Sequence, residues 1–207
     1  GWGVMNPTAI KAAAKTGYPR EKLIGVWWSG AEEDTIPAGT AAKGFVAAGF
    51  NVAGASYPVV ADIKKHVYGK DKGNMEDKSR IGSVYYNRGV VHGIITVEGI
   101  RKAQEKFGKG KSLTGEQMRW GLENLNLDDA RLKALGATGF MPPLKITCAD
   151  HEGPGKVKFQ QWDGTQWKVI TDWVDSDRPL VRGMIEESAA AYAKEKGIKP
   201  RDCSKES

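Results

Sequence analysis

Apolar residues along the chain fall into three rhythms: short uninterrupted runs, stripes at helical spacing and, near the end, strict alternation. The first stripe is Ile10, Ala13 and Ala14, on one face of a helix opened by Asn6 as N-cap and Pro7 at the first helical position, with Gly17 as its stop. Lys22 to Trp28 is a near-continuous apolar run, which suits a buried parallel strand covered on both faces. The stretch "TIPAGTAAKG" then predicts a second helix, and Phe45 to Phe50 a second short strand. Helix, strand, helix, strand in that order predicts an open α/β sheet flanked by helices.

Further on, Val59, Ile63 and Val67 repeat at helical spacing, and the polar stretch from Gly69 to Arg80 reads as a surface loop. The longest helix is predicted from Ser83 to about Phe107. Val84, Val91 and Ile95 form one stripe on it, with Val90, Ile94 and Val97 beside them. Gly89 and Gly93, one turn apart, suggest that another element approaches this helix closely. Thr114 and Gln117 form a capping box before a helix from Gly115 to Leu125, and a short helix follows from Asp128 to Leu135. The alternation in "KVKFQQWDGTQWKVI" predicts a β-hairpin turning at Asp163-Gly164, a pair suited to a two-residue type I′ turn. A last helix is expected from Arg182 to Lys196.

Composition narrows the function. The chain has 207 residues and is 40% hydrophobic, enough for a real core, and it is expected to fold as a soluble globule. It contains no run of the roughly 18 apolar residues that spans a bilayer. The opening "GWGVMNP" has neither an initiator Met nor a charged and apolar leader pattern. It reads as a cut into mid-fold, so a mature portion or a fragment is expected. The net charge of +6 comes from Lys and Arg interleaved with acids, and the densest basic cluster, Lys106 to Ser112, reads as a solvated helix end; nucleic acid is not an expected partner. Cys148 and Cys203 suit a disulfide clamping the tail in an exported protein, or two thiols in a cytosolic one.

Candidate chemistry is sparse. "CADHEG", Cys148 to Gly153, gathers a thiol, carboxylates and an imidazole, but Cys-x2-His is half of a structural zinc set and no second pair follows at ligand spacing. His66 and His92 fall within helices, and no nucleophile elbow, P-loop or G-x-G-x-x-G occurs. Neither a cofactor nor a metal is expected, and an enzyme built on Asp150, His151 and Glu152 is the lesser reading. Trp27-Trp28 carries more. A parallel sheet places ligand sites beyond the carboxyl ends of its strands, where the indole pair meets Ser29, Gly30, Glu32, Glu33 and Asp34. Indoles supply apolar walls and the acids can meet an ammonium group.

The order of segments resembles a type I periplasmic solute-binding protein of the branched-chain amino acid class, specifically the C-terminal part of one. The residues that carry the resemblance are "GWGVMNPTAIKAAAKTGY", "KLIGVWWSG", "IPAGTAAKGF", "YYNRGVVHGIITVEGIRKA" and "CADHEGPGKVKFQQWDGTQW". The resemblance implies a two-lobed clamshell of open, mostly parallel sheets flanked by helices, both lobes incomplete here. It implies that residues 1–50 belong to the second lobe, 51–155 to the first, and 156–207 return to the second. It further implies a periplasmic, non-enzymatic receptor of an ABC importer. Such a receptor holds a branched-chain or hydrophobic amino acid, or a related small carboxylate, between the lobes and hands it to a membrane permease. A ligand-sensing domain of the same fold is the alternative. The family's ammonium-binding acid aligns with Trp27, which leaves Glu32, Glu33 or Asp34 as substitutes, or a ligand held by aromatic walls. The ligand-binding residues implied are Trp2, Met5, Asn6, Trp27, Trp28, Ser29 and Glu32, with the missing N-terminal portion of the same protein as a partner. Export to the periplasm favours a disulfide between Cys148 and Cys203.

Overall fold

The apolar and polar alternation of Lys156–Trp162 makes it the central strand of the molecule. In a computed structural model, which describes residues 3–205, this strand, β5, lies antiparallel to Val46–Gly49 (β2) on one side. On the other it pairs with Trp167–Val169 (β6) and, through its opening residues, with Val174–Asp175 (β7). Ile24–Gly25 (β1) runs parallel to β2 and completes the order β1-β2-β5-β6. The class is the expected open α/β sheet flanked by helices. Its pairings are mixed, because the chain returns to the sheet as a hairpin. Asn126–Leu127 (β3) and Leu144–Lys145 (β4) form a separate antiparallel pair.

The helices are Met5–Lys15 (α1), Glu32–Thr35 (α2), Pro58–His66 (α3), Val84–Phe107 (α4), Gly115–Glu123 (α5), Asp129–Ala134 (α6) and Arg178–Lys196 (α7). The capping box read from the sequence holds, Thr114 and Gln117 bonding reciprocally, while Ser83, expected as the first residue of the long helix, is its cap and accepts from the Tyr86 amide.

Buried apolar side chains gather in two groups. One joins Ile10, Phe45, Ala47, Trp162 and Trp167 around the sheet, with Val84 from the start of α4. The other joins Val60, Val91, Leu127, Leu132 and Phe140 between α3, α4 and the β3–β4 pair. The chain passes from the first group to the second through residues 51–57 and returns through 147–155.

Several expectations are corrected. The run from Lys22 to Trp28 is not a strand buried on both faces. Only Ile24 and Gly25 pair, at the sheet edge, and Ile24 and Val26 are 61% and 54% exposed. Asn6 does not cap α1; Val4 precedes the helix without a side-chain bond, and Asn6 is buried inside the first turn. The helix expected through 35–44 is α2 followed by a 3-10 segment, Ile36–Ala42, kinked at Gly39. The hairpin turns through four residues, 163–166, because the Asp163 carboxylate accepts from the amides of Thr165 (2.8 Å) and Gln166 (2.9 Å). The last helix begins at Arg178, where Asp177 accepts from the Leu180 amide. The disulfide expected between Cys148 and Cys203 is present.

Gly89 and Gly93 face open space, while the close helix contact is made by Gly99 and Gly121. A Cβ on Gly121 would collide with the Gly99 carbonyl oxygen and sit 2.8 Å from the Ala103 side chain. Gly121→Ala is therefore expected to lower stability by about 1–3 kcal/mol, read as a lower urea midpoint with unchanged slope. Gly89→Ala should stabilise α4 slightly or leave the midpoint unmoved.

Candidate functional site

Because β1 and β2 run parallel, their carboxyl ends emerge together, and each delivers aromatic residues. After β1 the chain closes a tight turn in which the Ser29 amide and hydroxyl both donate to the Val26 carbonyl. That turn sets Trp27 and Trp28 against each other with ring centres 3.8 Å apart. After β2 comes Phe50, edge-on to Trp27 at 5.5 Å. Trp28 is 38% exposed, so one indole backs the wall and the other faces outward.

The opening turns of α4 complete the cluster with Tyr85 and Arg88. Arg88 is only 9% exposed. Its Nη2 donates to the Trp27 carbonyl (2.9 Å) and its Nε to Asn51 Oδ1 (3.2 Å). The guanidinium carbon lies 5.4, 5.1 and 5.2 Å from the ring centres of Trp27, Phe50 and Tyr85, a cation held by three aromatic faces. Burial pulls its pKa down, opposed by the field of Tyr85 and Asp34, but a guanidinium starts so high that it stays charged. Asn51 and Asn87 fix the same region from either side: Asn51 donates to the Val84 carbonyl, Asn87 to the carbonyls of Val52 and Gly54.

The three acids after the tryptophans have structural partners. Asp34 accepts from Asn6 Nδ2 (2.7 Å) and the Ala31 amide (3.0 Å), and burial pushes its carboxyl above the ordinary aspartate range. Glu32 accepts from the Val84 amide (3.0 Å) at the start of α4, and burial raises its pKa as well. Glu33 pairs with Arg80.

Of the residues expected to bind ligand, Asn6, Trp27, Trp28, Ser29 and Glu32 stand in one neighbourhood. Asn6 also donates to the Trp28 carbonyl (3.0 Å), which brings the start of α1 to the indoles. Met5 lies on the exposed first turn of α1, and Trp2 lies outside the described residues. Phe50, Tyr85 and Arg88 were missed. A charge on the stripe of α4 that buries Val84, Asn87 and Val91 was the available signal. Behind Trp27 and Phe50 a cavity of about 430 Å³ opens toward Val91, Ile95 and Met141, between the two buried groups.

"CADHEG" is a docked loop. Asp150 pairs with Arg178, Glu152 with Arg182 (2.8 Å), and His151 Nε2 contacts Glu123 (3.1 Å). Among the described residues no group of three or more His, Cys, Asp or Glu side chains is placed to hold a metal ion.

Residues 1–166 match the family model described as Periplasmic binding protein. The chain belongs to that family. A comparison of this periplasmic binding protein with curated proteins finds no match. Among solved structures, one described as an ABC transporter permease from the Pseudomonas fluorescens group is 48% identical. It covers 98% of this chain and 48% of its own, with a TM-score of 0.93. A branched-chain amino acid ABC transporter protein from Thermus thermophilus, with bound valine, is 24% identical over 86% of this chain and 45% of its own, TM-score 0.62. A possible leucine/isoleucine/valine-binding protein from Rhodopirellula baltica SH 1 is 18% identical over 83% and 41%, TM-score 0.58. The chain thus spans about half the length of the solved proteins it matches. Membership of the family implies an extracytoplasmic location. No helix among the described residues is long and apolar enough to cross a membrane.

The Asn6–Asp34 bond gives a pH-dependent expectation. Burial already raises the Asp34 carboxyl, so the folded state binds its proton more tightly than the unfolded chain does. Stability from this group is greatest at low pH and falls as pH rises through the raised pKa. Asn6→Ala removes a donor to the charged form. It should cost about 1–3 kcal/mol near neutral pH and less as the pH approaches the aspartate range. Urea titrations of both proteins at the two pH values check this.

Proposed function

We propose that the chain is the C-terminal part of the solute-binding component of an ABC importer. In this reading it binds a branched-chain or hydrophobic amino acid, or a related small carboxylate, in the periplasm and delivers it to a membrane permease. Residues 1–50 and 156–207 then belong to one lobe and 51–155 to the other, with the remainder of the same protein completing both. The two groups of buried residues follow that division, apart from Val84, which packs with the sheet. Ligand transfer of this kind needs no bond to change, only a cleft that closes and reopens.

The observation that carries the reading is the aromatic wall of Trp27, Trp28, Phe50 and Tyr85. It stands at the carboxyl ends of the parallel strands, where the chain crosses between the two buried groups. Open α/β sheets bind ligands at that end. Trp28 and Tyr85, 38% and 40% exposed, are the faces a solute meets first. The acids' commitments favour ligands gripped mainly through their apolar portion.

Isothermal titration of the full-length protein with valine, leucine, phenylalanine and 3-methylbutanoate tests this. At least one should bind, and Trp28→Ala should weaken that binding roughly tenfold or more while leaving the melting temperature close to the parent. Binding by none of the four, or an unchanged affinity in the variant, overturns the reading of the site.

A further inference from the structure

The C-terminal helix has no buried residue, yet it is fastened at several points. It is rooted in the sheet, because β7 pairs with the opening residues of β5: Lys156 with Asp175 and Val157 with Val174. Its first turns are then held to the returning crossover. The Ser176 amide donates to the Gly155 carbonyl, and Arg178 bonds Asp150 and the Gly153 carbonyl. Arg182 bonds Glu152 (2.8 Å) and the Ala149 carbonyl (2.6 Å). Beyond Gly197 the tail turns back. Arg201 bonds the buried carboxylate of Glu123 on α5 (2.8 Å), and Cys203 is joined to Cys148 where the crossover begins. The family match ends at residue 166, before β7, α7 and the tail.

We infer that residues 176–203 form a strap across the crossover that limits how far the cleft can open. The inference rests on the two-lobe reading proposed above. One end of the strap moves with the sheet through β7. The other end is fixed covalently to Cys148 and by charge to α5, on the side of the second buried group. The disulfide closes a ring of 55 residues in sequence that contains the crossover, strands β5 to β7 and α7. Residues 148–156 already join Cys148 to the strand that β7 pairs with, so the strap's own hold on the second group is Arg201 on Glu123, which the disulfide keeps in place, and separation of α5 from β7 must break it. A tether opposes separation of its ends and not their approach, so closure is left free.

The test uses the full-length protein, ligand-free, in its oxidised form and as the double variant Cys148→Ser/Cys203→Ser. Small-angle scattering and amide exchange are measured on both. The strap predicts a larger radius of gyration in the variant, and exchange roughly fivefold faster at 51–57 and 147–155, with unchanged exchange in α4 and β2. Should the variant fail to fold, the oxidised protein reduced in place with dithiothreitol and alkylated gives the same comparison. A lower melting temperature with the same radius and the same crossover exchange overturns the strap and leaves the disulfide a clamp on stability alone. If scattering of the oxidised protein does not fit a two-lobed particle, the solute-binding reading falls first and the strap with it.

Discussion

The arrangement at the strand ends depends on one buried cation. Arg88 reaches from α4 to the Trp27 carbonyl beyond β1 and to Asn51 beyond β2, so a single guanidinium ties both parallel strands to the long helix. Burying a charge costs several kcal/mol unless it is well compensated. Here the compensation is two hydrogen bonds and three aromatic faces, a combination that a planar fork can accept and a lysine ammonium cannot. Because the carbonyl it holds belongs to Trp27, the same bond that anchors the helix also orients the indole pair. Packing and site geometry are one constraint in this region.

The acids extend that constraint. Glu32 supplies the first turn of α4 with an acceptor it would otherwise lack, across 52 residues of sequence, and Asp34 binds the start of α1 across 28. Negative charge near a helix N-terminus is favourable, and here it orders the helix that carries Arg88. The loop that reads locally as a patch of free carboxylates is therefore a set of braces. What these braces leave uncommitted at the strand ends is mainly aromatic surface, with charge behind it.

How far the sequence disclosed this depended on the range of each interaction. The start of α5 was legible because Thr114 and Gln117 act within three residues of themselves. The place of the two tryptophans just beyond β1 was legible because they close an apolar run. The extent of β1 was not, since an apolar run cannot say whether a neighbour covers its second face, and Ile24 and Val26 prove exposed. Nor could Gly89 and Gly93 be told from Gly99 and Gly121, because spacing along one helix does not show which turn meets another helix. Arg88 was passed over although a charge beside an apolar stripe was visible; its partners, Trp27 and Asn51, lie 61 and 37 residues away.

The tail shows a different balance of forces. An element with no buried side chain gains little from the hydrophobic effect, and exposed ion pairs such as Arg182 with Glu186 add little to stability. Several such bonds set direction without securing position. The disulfide differs in kind: closing a ring of 55 residues removes unfolded-state freedom worth roughly 4 kcal/mol in the chain-entropy account. It also persists when the helix frays. Arg201 adds a bidentate hold on Glu123, whose carboxyl it keeps below the ordinary glutamate range, so this anchor weakens only in acid, as that carboxylate takes up a proton. A segment built this way keeps its end-to-end reach while its middle stays free to bend. That is what distinguishes a tether from a packed helix.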